Sequence, residues 1–211
     1  MVTVHYFYDP MCGWCYGATA LVEALAKRSD IRLIMHPGGM IKRREMSSEF
    51  RTMAHEHDAN IAQLTGQKFS AAYRARLQRD EPIILDSFIT ATMVELAELE
   101  SGQGVGMLKA IQRAHYVDGL DVSSSDTLAR LAQSLNIGKA IVDRSDTYDI
   151  QSNVTNSHRL MNQAHVRGFP TFMVERNNAF HRLEHVAYLG NLRGWTELIE
   201  QLAQSEQENV S

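Results

Sequence analysis

The chain opens on Val2-Thr3-Val4-His5-Tyr6-Phe7-Tyr8, a run of β-branched and aromatic residues with apolar side chains on both faces, and the run stops at Asp9-Pro10. That composition predicts a central strand covered on both sides. From Cys12 the period changes. Ala18, Leu21, Val22, Leu25 and Ala26 recur at i, i+3, i+4, i+7 and i+8, which predicts one amphipathic helix with Cys12-Gly13-Trp14-Cys15 in its first turn. Ile31, Leu33 and Met35 then alternate with Arg32, Ile34 and His36 before His36-Pro37-Gly38-Gly39, the signature of a second short strand. Together these predict a strand-helix-strand unit, parallel and right-handed.

Between about Met40 and Asp149 strand-like runs disappear and helical periodicity repeats, which predicts an all-helical insertion. Leu85, Phe88, Ile89, Thr92, Met93, Leu96 and Leu99 mark one helix, capped by Asp86 or started near Pro82. Another spans roughly Val105 to Tyr116. Ser123-Ser124-Ser125-Asp126 reads as a capping box ahead of a stripe of Leu128, Leu131, Ala132 and Leu135, which Asn136 and Gly138 end. After a further helix ending near Val166, Arg167-Gly168-Phe169-Pro170-Thr171-Phe172 leads into Met173-Val174-Glu175, with a proline at a strand entrance, where it is unusual. The turn Arg176-Asn177-Asn178 and the run Ala179 to Val186 predict an antiparallel hairpin. Leu192, Trp195, Leu198, Ile199 and Leu202 predict a closing amphipathic helix, and the polar tail after Ala203 is expected to fray.

Composition narrows the class. With 44% hydrophobic and 22% charged residues among 211 and only four prolines, the chain has enough material for a sizeable core in one or two domains. A formal net charge of -4 without a basic stripe argues against nucleic acid as a partner. The helical patterns are broken by charges well short of a membrane span, so no membrane partner is expected. Met1 runs straight into the first strand without the basic and apolar regions of a signal peptide, and the expected location is the cytoplasm.

The chemistry sits in the only two cysteines, Cys12 and Cys15. A disulfide between them would close so small a loop that it would remove little entropy from the unfolded chain, so the pair calls for a redox rather than a structural reason. Cys12 lies where helix N-H groups and the positive end of the macrodipole converge, which favours thiolate over thiol and suits a nucleophile. Cys15, nearly a turn further in and more buried, suits the resolving role. A structural zinc ion needs four ligands, and nothing in the sequence places two more beside the pair, so no metal is expected. His55-x-His57 would point about 200° apart on a helix, and His181-x-x-x-His185 falls in a predicted strand; both read as surface or packing residues. Trp14 reads equally as a substrate platform or a packed ring. Strand packing accounts for Tyr6 and Tyr8, which flank the site with Tyr16, and the ten methionines read as core filler.

The order strand, Cys-x-x-Cys at a helix start, strand, helical insertion, Gly-x-Pro-Thr-Phe, hairpin and helix resembles thioredoxin-fold proteins of the DsbA-like class. More narrowly, Tyr8-Asp9-Pro10-Met11-Cys12-Gly13-Trp14-Cys15-Tyr16-Gly17 and Pro37-Gly38-Gly39-Met40 look like the signal-less, cytoplasmic branch of predicted protein disulfide isomerases, the FrnE-like branch. The resemblance covers essentially the whole chain. It implies an α/β, thioredoxin-like fold with an all-helical insertion domain: residues 1-39 and 150-211 form a discontinuous thioredoxin-like domain and 40-149 the insertion. It implies a cis peptide bond at Pro170 beside the disulfide, with Cys12, Cys15 and Pro170 as the catalytic set. The backbone of Phe169 would be open to pair with an extended substrate. Gly13, Trp14, Gly168, Phe169 and Pro10 would complete the substrate site.

The implied activity is thiol-disulfide exchange through a mixed disulfide, on protein or peptide thiols and disulfides. No metal or organic cofactor is implied; glutathione or a thioredoxin-type reductant would be the redox partner. Gly13-Trp14 differs from the Pro-His pair of the periplasmic oxidant and the Gly-Pro pair of thioredoxin. With no histidine between the cysteines a strongly oxidising potential does not carry over, and a reducing cytoplasm favours reductase or isomerase work. Two other readings share the pattern. One is a glutathione-dependent transferase or isomerase of the kappa or hydroxychromene carboxylate isomerase type, against which the retention of both cysteines argues. The other is a non-catalytic peptide-binding or chaperone module.

Overall fold

A computed structural model of the chain describes residues 1–138, 140–176 and 179–208. Six of the seven residues of β1 (Val2–Tyr8) are buried, as a run with apolar side chains on both faces requires of a strand covered on both sides. α1 (Gly13–Gly17), α2 (Thr19–Ala26) and β2 (Ile31–Pro37) follow, and β2 lies parallel to β1 from Val2 opposite Ile31 to Tyr8 opposite Pro37. The single helix expected after Cys12 is two. The break falls at Ala18 (φ -86°, ψ 1°), where the Thr19 hydroxyl donates to the Tyr16 carbonyl at 2.7 Å, a local bond that competes with the helical ladder.

The chain then runs through β3 (Arg44–Glu45), α3 (Ser48–Thr65), α4 (Ala71–Gln78), β4 (Ile84–Leu85), α5 (Ser87–Ser101), α6 (Gly104–Tyr116), α7 (Ser125–Ser134), α8 (Ala140–Ser145) and α9 (Ile150–Gln163). This segment is helical apart from the antiparallel β3-β4 ribbon, whose two-residue strands are too short to show a period. Caps set the helix starts. Ser47, Ser70, Asp86 and Asp149 each accept a bond from a backbone N-H two or three residues on, so Asp86 rather than Pro82 begins α5. The capping box expected on α7 does not form. Ser124 occupies the N-cap without a side-chain bond, and the Ser123 hydroxyl donates instead to Asp121 Oδ1 at 2.8 Å. Leu99 is 64% exposed, so the buried stripe of α5 ends at Leu96 and Ala97.

β5 (Thr171–Arg176) pairs antiparallel with β1 and with β6 (Ala179–Leu183), giving the sheet order β2-β1-β5-β6. Of the predicted hairpin turn, Asn177 and Asn178 lie outside the described residues. β6 stops at Leu183, short of Val186, and His185–Tyr188 form a 3-10 turn, so His185 is not a strand residue. α10 (Leu192–Glu208) remains helical beyond Ala203, where fraying was expected; residues 209–211 lie outside the described residues. Trp195 fixes this helix to the sheet. It is fully buried, its Nε1 donates to the Leu21 carbonyl at 3.1 Å, and its ring meets Phe172 edge-on at 5.3 Å. Among the described residues no helix is long and apolar enough to cross a membrane.

Candidate active site

The register of β1 against β5 builds the site. Phe7 lies opposite Thr171, so the residues that follow β1 (Asp9 to Cys12) and those that precede β5 (Gly168 to Pro170) meet at one end of the sheet. The Phe169–Pro170 peptide is cis. Cys12 is the N-cap of α1 and its sulfur makes no cap bond; its S-H is directed at the Phe169 carbonyl oxygen, 3.6 Å away. Cys15 sits behind it, fully buried, and accepts from the Asp9 N-H at 3.4 Å. Both cysteines are free thiols. Burial, and then the neighbouring Cys12, push the Cys15 thiol well above its ordinary range.

Asp9 is a site residue the sequence reading missed. It is fully buried, which pushes its carboxyl up, and it accepts from Met40 N-H at 2.6 Å, the Ser87 hydroxyl at 2.7 Å and Met11 N-H at 2.9 Å. One carboxyl therefore joins the cysteine loop, the end of β2 and the start of α5. The bond to Met11 is an Asx turn, for which Asp-Pro was the only legible signal.

The Pro37-Gly38-Gly39-Met40 segment supports the loop that carries Pro170. The Phe169 ring rests on Gly38, where an added Cβ would stand 2.5 Å from Phe169 Cζ. His158 Nε2 donates to the Gly38 carbonyl at 2.7 Å, and its ring meets Phe169 edge-on at 6.1 Å. Gly13 and Gly17 play the same part toward α3. A Cβ on Gly13 would meet Ile61 Cδ1 at 3.0 Å and Asp58 Oδ1 at 3.3 Å, and one on Gly17 would meet Ile61 Cγ2 at 2.9 Å. A further brace comes from α6: the Tyr116 hydroxyl donates to the Met11 carbonyl at 2.9 Å, and its ring stacks on Tyr16 at 4.8 Å.

Two cavities meet at Trp14 and Phe169, and Cys12 lines the first of them. One, of about 300 Å3, lies under α3 and is lined by Cys12 and Gly13 and by Met11, Met40, Met46 and Met53, so these four methionines border the site as well as filling space. The other, of about 270 Å3, runs along Arg167, Gly168, Pro170, Arg182 and Val186. Trp14, half-buried, and Phe169 line both and form the ridge between them. Pro10 is buried and lines neither. In the wall of the first cavity Asp58 is pushed up to about 6 by burial, although the Tyr73 hydroxyl donates to it at 2.9 Å. His115 in the same wall is driven down to about 3 by burial and stays neutral. His57 reaches this cavity while His55 lines a separate surface depression, so the two do not converge. His181 is exposed on β6, and His185 is buried against Phe172 beside the second cavity. Among the described residues no three His, Cys, Asp or Glu side chains come together as a metal site requires.

A family model for the DSBA-like thioredoxin domain matches residues 3–191. The cytosolic disulfide reductase DsbM from Pseudomonas aeruginosa is similar in structure, with a TM-score of 0.90 and 36% identity over 96% of this chain and 98% of that one. A second structure of that reductase, with GSH, gives a TM-score of 0.88 and 35% identity over 96% and 99%. 2-Hydroxychromene-2-carboxylate isomerase shares the fold, at a TM-score of 0.58 and 13% identity over 96% and 98%. No curated protein matches the chain in sequence.

Proposed function

The chain belongs to the DSBA-like thioredoxin family and is a disulfide oxidoreductase, and from that premise we propose that it reduces disulfides in the cytoplasm through a mixed disulfide on Cys12 that Cys15 resolves. The observation that carries this reading is the placement of the Cys12 sulfur 3.6 Å from the Phe169 carbonyl, with Cys15 buried directly behind it. Cys12 is the one of the two sulfurs that borders a cavity. As thiolate it attacks one sulfur of the client disulfide, and the other sulfur leaves and takes up a proton. Cys15, once deprotonated, attacks the Cys12 sulfur. The Cys12-client bond breaks, the client departs as a thiolate, and the protein is left with a Cys12-Cys15 disulfide.

The surroundings favour polypeptide clients. Of the eight large apolar side chains exposed among the described residues, Met40 and Met53 line the cavity at Cys12, and Leu64 and Val186 line the cavity on the other side of the Trp14-Phe169 ridge. An extended client paired to the backbone of Phe169 would lay its side chains to either side of the Trp14-Phe169 ridge. Glutathione, present in one of the similar structures, suits the opposite half-reaction, in which two glutathione thiols become glutathione disulfide and restore the dithiol. Residues 40–149 act in this reading as an insertion domain whose α3 supplies one wall of the site.

Insulin reduction and trapping with the single variants test the proposal. Cys15→Ser should accumulate a mixed disulfide with client, and Cys12→Ser should neither trap nor reduce. Reduction untouched by either change would sink the exchange mechanism.

A further inference from the structure

Cys15 must lose a proton before it can resolve the mixed disulfide, yet it is fully buried. Asp9 beside it offers no exit, because its carboxyl is also fully enclosed and its oxygens are taken by Met11, Met40 and Ser87. The hydroxyl of Tyr6 also stands beside Cys15, and two residues along β1, on the same face of the strand, stands Tyr8. Both side chains are fully buried, and neither hydroxyl makes a hydrogen bond of ordinary geometry. Their rings are stacked, with centroids 5.5 Å apart and planes at 18°. Two enclosed hydroxyls without partners are costly, and phenylalanine would fill the same space without that cost.

The Tyr8 hydroxyl stands beside the carboxyl of Glu95 on α5. Glu95 also lines a cavity of about 560 Å3 that shares no lining residue with the two cavities beside the Trp14-Phe169 ridge. We propose that Tyr6, Tyr8 and Glu95 form a proton path that takes the Cys15 proton to this second cavity during resolution of the mixed disulfide. The inference rests on the exchange mechanism proposed above. The proton of the Cys15 thiol passes to the Tyr6 oxygen and the Tyr6 proton moves on to Tyr8 through a water between the hydroxyls. The Tyr8 proton then passes to the Glu95 carboxylate, so both phenols end as they began. The Cys15 thiolate attacks Cys12, and Glu95 releases its proton to solvent.

The groups around Glu95 suit an acceptor that works near neutrality. Burial pushes its carboxyl up to about 7, Glu98 one turn on adds to this, and Asn153 on α9 offsets part of it by donating to Glu95 Oε2 at 3.0 Å. The same Asn153 amide reaches the Tyr148 hydroxyl at 3.0 Å, and Arg32 of β2 lines the cavity beyond.

Rapid mixing of the reduced protein with an aromatic bis(nitrobenzoate) disulfide separates the two chemical steps. Attack by Cys12 releases the first coloured thiolate, and resolution by Cys15 releases the second. In the natural protein the second phase should quicken through an ionisation near pH 7. Glu95→Gln should remove that ionisation and slow the second phase about tenfold at pH 8, leaving the first phase unchanged. Tyr8→Phe should slow the second phase likewise, and it keeps the ring that packs on Tyr6. A second phase with the same rate and pH profile in Glu95→Gln and Tyr8→Phe as in the natural protein would overturn the path. Absence of any first phase in the natural protein would instead overturn the exchange mechanism itself.

Discussion

The Cys12 thiol lies 3.6 Å from the carbonyl oxygen of Phe169, and the Phe169 ring is seated on Gly38 with no room for a methyl group between them. Gly38→Ala would place a carbon 2.5 Å from the ring edge, so the ring must leave its seat and the Phe169 carbonyl loses that support. Insulin reduction by this variant should fall about tenfold, and urea denaturation should show a loss of about 1–3 kcal/mol, the usual range for overpacking. Full activity together with full stability would show that the seat does not hold the carbonyl.

Gly17 and Ile61 provide a matching test on the α1-α3 contact. A Cβ on Gly17 would stand 2.9 Å from Ile61 Cγ2 and 3.2 Å from Thr65 Cγ2. Gly17→Ala should cost about 1–3 kcal/mol by overpacking, and Ile61→Ala about 2–5 kcal/mol through the cavity it leaves. The two changes share one contact, so the double variant should be more stable than the sum of the single losses predicts. Strict additivity in urea denaturation would place the cost of each change elsewhere.

Much of this architecture could be read from the sequence, because long elements carry a period. β1, β2 and α6 lie close to where alternation and the 3.6 spacing put them. The approach of Cys12 to the Phe169-Pro170 loop could be read from two short motifs and a resemblance. What could not be read depended on contacts distant in sequence or on single side chains. Asp9 looked like a strand terminator, since Met40 and Ser87, which give it a role, lie 31 and 78 residues away. The Thr19 hydroxyl splits a stripe that continues unbroken in sequence from Ala18 to Ala26. Gly13 lines the cavity at Cys12, but its close approach to Ile61 on α3 is a contact that no local pattern announces.

The bond between Ser87 and Asp9 ties the start of α5 to the cysteine loop, and Ser87 also accepts from the Ile41 N-H at 3.1 Å. Ser87→Ala would leave one oxygen of a fully buried carboxyl short of a donor and the Ile41 N-H without its acceptor. A loss of about 1–3 kcal/mol is expected. Asp9→Ala strips three donors of their acceptor at once and should cost more, with the end of β2 losing protection in amide exchange first at Met40. Equal losses in the two variants would mean that the Ser87 bond alone accounts for what Asp9 contributes.

Asp58 should leave a signature in the pH dependence of stability. Its carboxyl ionises near 6 in the folded protein against 3.8 as an ordinary aspartate, because burial penalises the charge. Between these values the folded state holds more protons than the unfolded state, so this group's contribution to stability falls as pH rises from about 4 to about 6. Asp58→Asn keeps the shape and can still accept from the Tyr73 hydroxyl, but carries no charge at any pH. Relative to the natural protein the variant should therefore gain up to about 3 kcal/mol between pH 4 and pH 7, the worth of a shift of this size at a nearly enclosed site. The buried His36 and His115 pull the other way, since their folded values are driven down to about 4 and about 3, but they titrate alike in both proteins and cancel from the difference. Urea denaturation of the pair at several pH values reads that difference directly. A difference that stays constant across the range would mean that Asp58 ionises as an ordinary surface acid, with the cavity wall at α3 open to water.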